Sequence, residues 1–323
     1  MEKIISKNLL SGVMGIALLV LVFQLSQFSG LAQSSSHDLK SSQEIVIKTK
    51  DGKVAINQGQ VLKELLPDKK ILSVTWQELP FKLVEKKIID LEKLKAYSQR
   101  YGQTVTENDL KIFERNYNGN IEITQNNSVF VYNVLWAIGF AAKSPILDYE
   151  LEKYGWDTVK NLAGYYFSFA NLGNGSTFRQ SGYNYFDFLP LSAEQKTLVM
   201  KIAGKSAVPS CGNVLLLPDC SCSYAVDALI LMSASQGFNE GQIYQAMKDV
   251  YPYRYPGLYV RHALLFKLGK NQEWSDVNAE ELVSFELSSA QGVAQVSRDL
   301  ATILSNSGGV IQKSIPPPIH EDH

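Results

Sequence analysis

All three cysteines of the chain lie within one stretch of twelve residues, at positions 211, 220 and 222. Thiolates bind soft or borderline metals. Clustered thiols in an otherwise cysteine-free protein therefore indicate a metal-ligand set, and the alternatives are a redox site or a structural disulfide. Cys220 and Cys222 form a Cys-x-Cys pair that presents two sulfurs from one compact loop, and Cys211 would return to them from the far end of residues 212–219. This spacing predicts a three-thiolate site that binds zinc or copper(I).

Three sulfurs leave one position of a tetrahedral metal site open. The candidates for this position are water, a substrate, Asp219 and His262. His262 is the one histidine in a segment predicted to fold, because His37 lies in a polar linker and His320 and His323 lie in a Pro-rich tail. A partly buried helix histidine with a satisfied hydrogen bond is the commoner role for such a residue, and it ranks above the ligand role.

Two alternatives to metal binding stay open for the same cysteines. A disulfide from Cys211 to Cys220 or Cys222 would close a loop of about ten residues and stabilise the fold by ~2–3 kcal/mol. The odd number of cysteines would then leave one free thiol. A cysteine nucleophile ranks last, because the sequence places no base beside it. The strongest zinc signatures, with two Cys-x-x-Cys knuckles, do not occur in the sequence, so the choice between these roles stays open.

A helix over residues 221–236 is predicted to hold two of the sulfurs. The segment is apolar almost all round, which is typical of a central, buried helix. Asp219 or Ser221 is the predicted N-cap, so Cys220 and Cys222 would lie at the helix N-terminus. Unpaired backbone N–H groups and the helix dipole favour an anion there, and we therefore expect both cysteines to carry thiolate character.

The chain is predicted to be mainly α, a single helical globular domain with a small N-terminal β-hairpin, preceded by a signal or anchor segment. The dipeptide Asp51-Gly52 between two β-rich runs is a strong hairpin signal, because glycine accepts positive φ. Thr106, Ser192 and Asn239 are predicted helix N-caps. Apolar periodicity and stop signals predict helices over 61–66, 81–97, 129–142, 149–169, 193–203, 257–268, 279–285 and 289–305, with a turn bracketed by Pro252 and Pro256.

The first residues have the features of a secretory signal. Lys3 and Lys7 precede a nearly continuous apolar run, residues 9–23, and small residues then allow cleavage after residue 32. The run is shorter than the roughly 20 apolar residues of a transmembrane helix. An uncleaved segment could still anchor the protein with its body outside. The body is therefore expected to be exported, to an extracytoplasmic compartment that permits disulfides.

Composition divides the chain into five predicted parts. They are a signal peptide or membrane anchor, a polar linker, a small hairpin-containing region, a mainly helical domain with the cysteine site, and a disordered Pro-rich tail, at 1–32, 33–42, 43–74, 75–308 and 309–323. No clear boundary divides the helical domain. Its longest irregular stretch is rich in Gly, Asn and Ser and is predicted to be a surface loop, at residues 171–185.

The remaining patterns exclude several functions rather than suggest one. The formal net charge is -1 and no Lys/Arg stripe occurs, so we expect no nucleic-acid partner. Neither a Gly-Lys-Ser/Thr phosphate loop nor a Gly-x-Ser-x-Gly elbow is found, and we expect no nucleotide cofactor. Glu150, Glu152 and Asp157 lie near one another in the sequence. A solvated helix face explains these three better than a pair of catalytic carboxylates does.

Several blocks of the chain resemble an uncharacterised exported bacterial family. That family has an Asn-Leu-Leu-Trp-Ala-Leu-Gly block, then a Pro-Cys-Cys-Asn-Asn segment, then Pro-Asp-Cys-Asn-His-Gly running into Leu-Met-Ala-Ser-Gln-Gly. The similarity covers roughly residues 120–305. The matching positions are the blocks 132–147 and 231–237, together with Pro209, Cys211, Asn213, Pro218, Asp219 and Cys220.

The departures from the family pattern bear on the metal prediction. Ser210 stands where the family has the first of its paired cysteines, and Cys222 stands where the family has a histidine. Cysteine and histidine are both ligands for zinc and copper, so this exchange is one that a metal site tolerates. The resemblance therefore favours metal binding over a purely structural disulfide, and the missing first cysteine leaves the number of ligands open.

Overall fold

The computed structural model describes the backbone of residues 44–49, 52–159 and 182–306, and their side chains from residue 60 onward. The predicted signal or anchor, the linker, the Pro-rich tail and most of the predicted loop 171–185 lie outside these described residues. Among the helices that are described, none combines the length and the apolar character needed to cross a membrane.

The protein is mainly helical and has a small β-hairpin at its N-terminal end, which confirms the predicted fold class. Strands β1 (Glu44–Thr49) and β2 (Gly52–Asn57) pair antiparallel, with Thr49 opposite Gly52. This pairing confirms the hairpin that the Asp-Gly signal predicts, with Gly52 as the first residue of β2.

A second two-stranded sheet was not predicted. Strands β3 (Lys70–Thr75) and β4 (Asn120–Ile123) pair antiparallel, with an irregular register between Ile71 and Thr75. Their alternate side chains are buried in the core, namely Leu72, Val74, Ile121 and Ile123. Each strand is short and finds its partner far away in the sequence, so no local turn signal marks the pair.

Residues 156–159 belong to one helix, and thirteen further α-helices are described over their full length. They are α1 (Gln58–Leu65), α2 (Leu79–Glu85), α3 (Leu91–Arg100), α4 (Glu107–Leu110), α5 (Ser128–Ala141), α6 (Pro145–Tyr154), α7 (Ala193–Ala203), α8 (Ser221–Ser235), α9 (Glu240–Arg254), α10 (Pro256–Lys270), α11 (Ala279–Leu282), α12 (Phe285–Ser288) and α13 (Ala290–Asn306). Single 3₁₀ turns occupy Lys111–Phe113 and Trp274–Asp276.

The three predicted N-caps are confirmed. The side chains of Thr106, Ser192 and Asn239 each accept a hydrogen bond from the backbone N–H three residues later. In each case the residue at that third position bonds back to the backbone of the cap, which completes a capping box. These caps fix where α4, α7 and α9 begin.

Helices α5 and α8 form the centre of the core. Nearly every residue of both helices is buried, including Trp136 in α5 and Tyr224 in α8. The two backbones approach closely at Gly139, where an added Cβ would collide with the carbonyl oxygen of Tyr224. Glycine is therefore required at this crossing, because any larger side chain would push the central helices apart.

Three predicted helices differ from the structure. The helix predicted over 81–97 is two helices, because Lys87 has a φ of 57° and Asp90 caps α3 by accepting from Glu92 and Lys93. The helix predicted over 149–169 begins earlier, at Pro145, and is interrupted where Gly155 takes a φ of 77°. Residues 156–159 are helical again, and residues 160–169 lie outside the described residues. The helix predicted over 279–285 is replaced by α11 and α12, which are separate short helices.

The chain does break between Pro252 and Pro256, as predicted, but the break is a single residue rather than a longer turn. Pro252 lies inside α9, and the chain breaks only at Tyr255 before α10 begins. Pro256 occupies the first position of α10, where its missing N–H removes no helical hydrogen bond.

Candidate metal and disulfide site

The N-cap of helix α8 is a cysteine side chain. Cys220 is the N-cap, not Asp219 or Ser221 as predicted, and its Sγ accepts from the backbone N–H of Ser223 at 3.4 Å. The Ser223 hydroxyl in turn accepts from the backbone N–H of Cys220 at 3.2 Å. A serine at the third helical position closes the capping box, so the cysteine takes the place that an oxygen side chain usually holds.

Cys211 lies in a loop close to Cys220, and its backbone N–H and carbonyl are both hydrogen-bonded. Its N–H donates to the carbonyl of Val208 at 3.0 Å, and its carbonyl accepts from the N–H of Ala290 at 2.9 Å. Both cysteines are buried, and the structure pairs them as a disulfide with their Cα atoms 6.9 Å apart.

Asp219 completes a three-residue cluster. One of its carboxylate oxygens and the sulfurs of Cys211 and Cys220 all lie within 4.8 Å of one another. It is the one such group of possible metal ligands in the described parts of the chain. The cluster can therefore hold a metal ion, or its two sulfurs can form the disulfide.

The carboxylate of Asp219 is only partly satisfied. Asn213 Nδ2 donates to its Oδ2 at 3.3 Å, whereas Oδ1 is buried and has no hydrogen-bond partner among the described residues. Burial raises the pKa of Asp219, and hydrogen bonds from its own backbone amide and from Asn213 oppose that rise. A buried carboxylate oxygen without a donor is costly, so its position beside two sulfurs needs an explanation.

Ser210 forms the solvent side of the cluster. Its Oγ lies 3.6 Å from the sulfur of Cys211, 3.4 Å from the sulfur of Cys220 and 2.8 Å from the hydroxyl of Tyr255. Ser210 is exposed, unlike the two cysteines, so the cluster has a route to solvent on this side. A residue that the sequence marked only as a departure from a family pattern thus lies in contact with both sulfurs.

Cys222 has different neighbours. It is buried, lies outside the three-residue cluster, and accepts from Arg254 Nε at 3.3 Å. Cys220 is the extended N-cap residue whereas Cys222 lies in the first turn of α8, and the Cys222 sulfur is directed to Arg254 rather than to the cluster. The structure brings Cys211, Asp219 and Cys220 together but does not bring Cys222 to them, and a ligand role for Cys222 stays a prediction.

His262 is buried in a site of its own. Its Nδ1 lies 2.9 Å from the carbonyl oxygen of Leu258, and its Nε2 lies 2.9 Å from the carbonyl oxygen of Leu287. Its ring stacks on Tyr259, and burial lowers its pKa. Both ring nitrogens are occupied by carbonyl oxygens. This geometry agrees with the structural role that ranks first for this histidine.

Glu150 lies in the core, so its predicted place on a solvated helix face is wrong, whereas Glu152 and Asp157 are exposed. Tyr183 donates to its Oε2 at 2.6 Å and Tyr224 donates to its Oε1 at 3.4 Å. Burial raises the pKa of Glu150 to about 7. The spacing could have revealed this position, because Glu150 shares a helical face with Ile146 and Leu147.

Asp227 is a second buried acid that the sequence reasoning missed. It lies in α8 with 1% of its surface exposed, and neither carboxylate oxygen has a hydrogen-bond partner within the described structure. Burial raises its pKa well above the usual range, and the charge of Glu150 raises it further. The available signal was a single acidic residue in the middle of an otherwise apolar helix.

Comparison of the chain with protein-family models, with curated proteins and with solved structures finds no match. Its function is therefore inferred from the geometry of these buried polar groups.

Proposed function

We propose that this protein binds a thiophilic metal ion through Cys211, Asp219 and Cys220. One observation carries the proposal, namely that the unpaired Oδ1 atom belongs to the carboxylate that lies within 4.8 Å of both sulfurs. A disulfide needs no carboxylate beside it. A cation held between two thiolates and this carboxylate would balance their charges and provide the missing partner.

The donor types favour zinc over copper(I). Copper(I) prefers soft sulfur ligands alone, whereas zinc accepts thiolate and carboxylate together. Ser210 Oγ, which contacts both sulfurs, or a water molecule entering past it would supply the fourth ligand. The N-terminus of α8 adds a favourable field, since its backbone N–H groups and dipole stabilise a thiolate at Cys220.

The same two sulfurs would give the protein two states. A metal ion binds both cysteines as thiolates. Once the two sulfurs form a disulfide they are no longer thiolates and cannot bind the metal. Metal binding therefore belongs to the reduced form and the disulfide to the oxidised form. The predicted N-terminal signal and the resemblance to an exported family support an extracytoplasmic location, either secreted or held at the outer face of the membrane by an uncleaved anchor, where disulfides can form.

Metal analysis of protein purified anaerobically with a reductant tests the proposal. We expect about one zinc ion per chain in the wild type and background zinc in Cys220→Ser, because the substitution removes one of two sulfur ligands. Cys222→Ser is the matched control, and it should keep the metal because Cys222 lies outside the cluster. Equal low metal content in all three proteins would contradict the proposal.

The disulfide itself is the second candidate function. The structure pairs Cys211 with Cys220 and leaves Cys222 as the free cysteine. As a permanent staple this bond would stabilise the fold by ~2–3 kcal/mol. Thiol counting separates the two functions. A staple predicts one free thiol in the native protein and no zinc after reduction, whereas the metal site predicts zinc uptake when all three thiols are reduced.

Ser210→Cys should tighten zinc binding by at least about tenfold. The serine Oγ lies 3.6 and 3.4 Å from the two sulfurs, so a cysteine there would place a third sulfur in the cluster, and zinc binds thiolate strongly. Competition with a chromophoric chelator measures the affinity. Ser210→Ala is the matched control, because it loses the bond to Tyr255 without adding a sulfur. Equal affinities in the two variants would show that position 210 does not reach the metal.

A further inference from the structure

A cleft lies between α1, the first residue of β3, α9, α10 and the 3₁₀ turn Trp274–Asp276. Its volume is about 670 Å³, which falls within the range of roughly 300–1,000 Å³ that is typical of small-molecule sites. The residues that line the cleft do not include Cys211, Asp219 or Cys220. The cleft is therefore a candidate binding site that is separate from the sulfur cluster.

A buried lysine fixes one wall of the cleft. Lys248 comes from α9 and is only 3% exposed. Its Nζ donates to three backbone carbonyl oxygens, those of Trp274 at 2.8 Å, Ser275 at 3.4 Å and Val277 at 2.7 Å. An ammonium group has three N–H donors, so these bonds use all of them. The segment that carries Trp274 is therefore held in place before any ligand binds.

Trp274 gives this wall an aromatic surface. The residue lines the cleft and is half-buried. Its ring packs against Tyr259 with the ring centres 6.3 Å apart, and Lys248 Nζ lies 5.2 Å from the ring centre. These contacts fix the orientation of the indole and leave part of it accessible. An accessible, oriented indole offers apolar contact area to the C–H groups of a ligand.

Hydrogen-bonding groups of both kinds lie close to this aromatic surface. Lys70 Nζ lies 2.9 Å from a carboxylate oxygen of Asp249, whose other oxygen accepts from Gln245 Nε2 at 2.9 Å. Lys267 forms an ion pair with Glu273, and all four charged side chains of the two pairs are partly exposed. A hydroxyl group both donates and accepts, so one ligand hydroxyl could bond the acid and the base of a pair together.

The charges in the cleft balance. The lining contains three lysines and three acids, namely Lys70, Lys248, Lys267, Glu64, Asp249 and Glu273. Each lysine already has acceptors, either a carboxylate or backbone carbonyls. An anionic ligand would have to compete with those carboxylates, and a cationic ligand would have to compete with the lysines. The lining therefore favours a neutral ligand that is rich in hydroxyl groups.

We propose that this cleft binds a neutral carbohydrate. The C–H face of a sugar ring packs on Trp274, and its hydroxyls bond the Lys70–Asp249 and Lys267–Glu273 pairs. A neutral sugar combines an apolar face with donors and acceptors at its edge, and the cleft combines an aromatic ring with acids, amides and ammonium groups beside it. The proposal goes beyond metal binding and does not depend on it.

The probes are maltotetraose, cellotetraose and tetra-N-acetylchitotetraose, which are neutral oligosaccharides that differ in linkage and substituents. Saturation-transfer difference NMR with the full chain detects binding, and titration of the same signal gives the affinity. We expect at least one probe to bind the wild type. Loss of the aromatic contact in Trp274→Ala should weaken that binding by about tenfold or more. Asp249→Asn should also bind more weakly, because an amide replaces a charged acceptor.

A matched pair of conservative variants guards against misfolding. Trp274→Phe keeps a smaller ring and should bind more weakly than the wild type but more tightly than Trp274→Ala. Trp156→Phe is the control, because Trp156 is also half-buried but does not line the cleft, and it should bind like the wild type. Thermal unfolding followed by circular dichroism shows whether each variant is folded.

Three results would each overturn the proposal. They are a wild type that binds none of the three probes, a Trp156→Phe variant that loses as much affinity as Trp274→Phe, and tighter binding of the anionic tetragalacturonate than of the neutral probes. Cys220→Ser should bind the oligosaccharide like the wild type, and Trp274→Phe should keep its zinc. Failure of the carbohydrate site can therefore be distinguished from failure of the metal site.

Discussion

Gly139→Ala should destabilise the protein by about 3 kcal/mol, at the upper end of the usual penalty for overpacking a core. The added methyl group would meet the carbonyl oxygen of Tyr224 and crowd the backbone of Ala228. These are backbone atoms of a buried helix, so no side-chain rotation can relieve the contact. The free energy of unfolding in urea, followed by circular dichroism, measures the effect.

Gly241→Ala is the matched control for this substitution. Gly241 lies in the first turn of α9, and a Cβ there would meet only Asn239 Oδ1, at an ordinary 3.6 Å. Alanine is the better helix former, so this variant should be as stable as the wild type or slightly more stable. If Gly139→Ala unfolds at the same urea concentration as Gly241→Ala, the close crossing of α5 and α8 is not required for stability.

The metal-free protein should lose up to about 3 kcal/mol of stability through Glu150 as the pH rises from 4.5 to about 7. Burial raises the pKa of this carboxyl from 4.5 to about 7 in the folded state. Below pH 4.5 both the folded and the unfolded forms are protonated. Between the two values the unfolded chain releases its proton and the folded chain keeps it, so the free energy of unfolding falls with increasing pH.

Urea unfolding at a series of pH values, in the presence of a chelator, measures this dependence. Glu150→Gln should show a shallower fall, because glutamine does not titrate and its amide oxygen can still accept from Tyr183. Part of the fall should persist in this variant, since burial also raises the pKa values of Asp227 and Asp219. Glu152→Gln, which is exposed, should follow the wild-type profile. A Glu150→Gln profile as steep as the wild type would contradict the assignment.

Much of the helical architecture could be predicted because its signals are local. The caps at Thr106, Ser192 and Asn239 depend on residues three positions apart, and the structure confirms all three. The β3–β4 sheet depends instead on pairing between segments that are distant in the sequence, where local patterns carry no information. The helix break at Lys87 was missed because it depends on the backbone conformation of one residue.

The site was predicted only in part, for a geometric reason. Clustering in the sequence identified Cys211 and Cys220, and Asp219 was named as a candidate ligand beside them. The Cys-x-Cys pair suggested that Cys222 would join them, but a helix that starts at Cys220 turns the second sulfur toward Arg254. The buried acids Glu150 and Asp227 were missed although each had a local signal: Glu150 shares a helical face with buried Ile146 and Leu147, and Asp227 is a lone acid in the apolar α8.

The sulfur cap of α8 links the chemistry of the cluster to the backbone of the core. Cys220 Sγ accepts a hydrogen bond from the amide N–H of Ser223, and α8 packs against α5. A thiolate is a stronger acceptor than a disulfide sulfur, so oxidation weakens the first hydrogen bond of this helix. The exchange rate of the Ser223 amide proton should therefore report the oxidation state of the cysteine pair, because this amide belongs to the first turn of the buried helix α8.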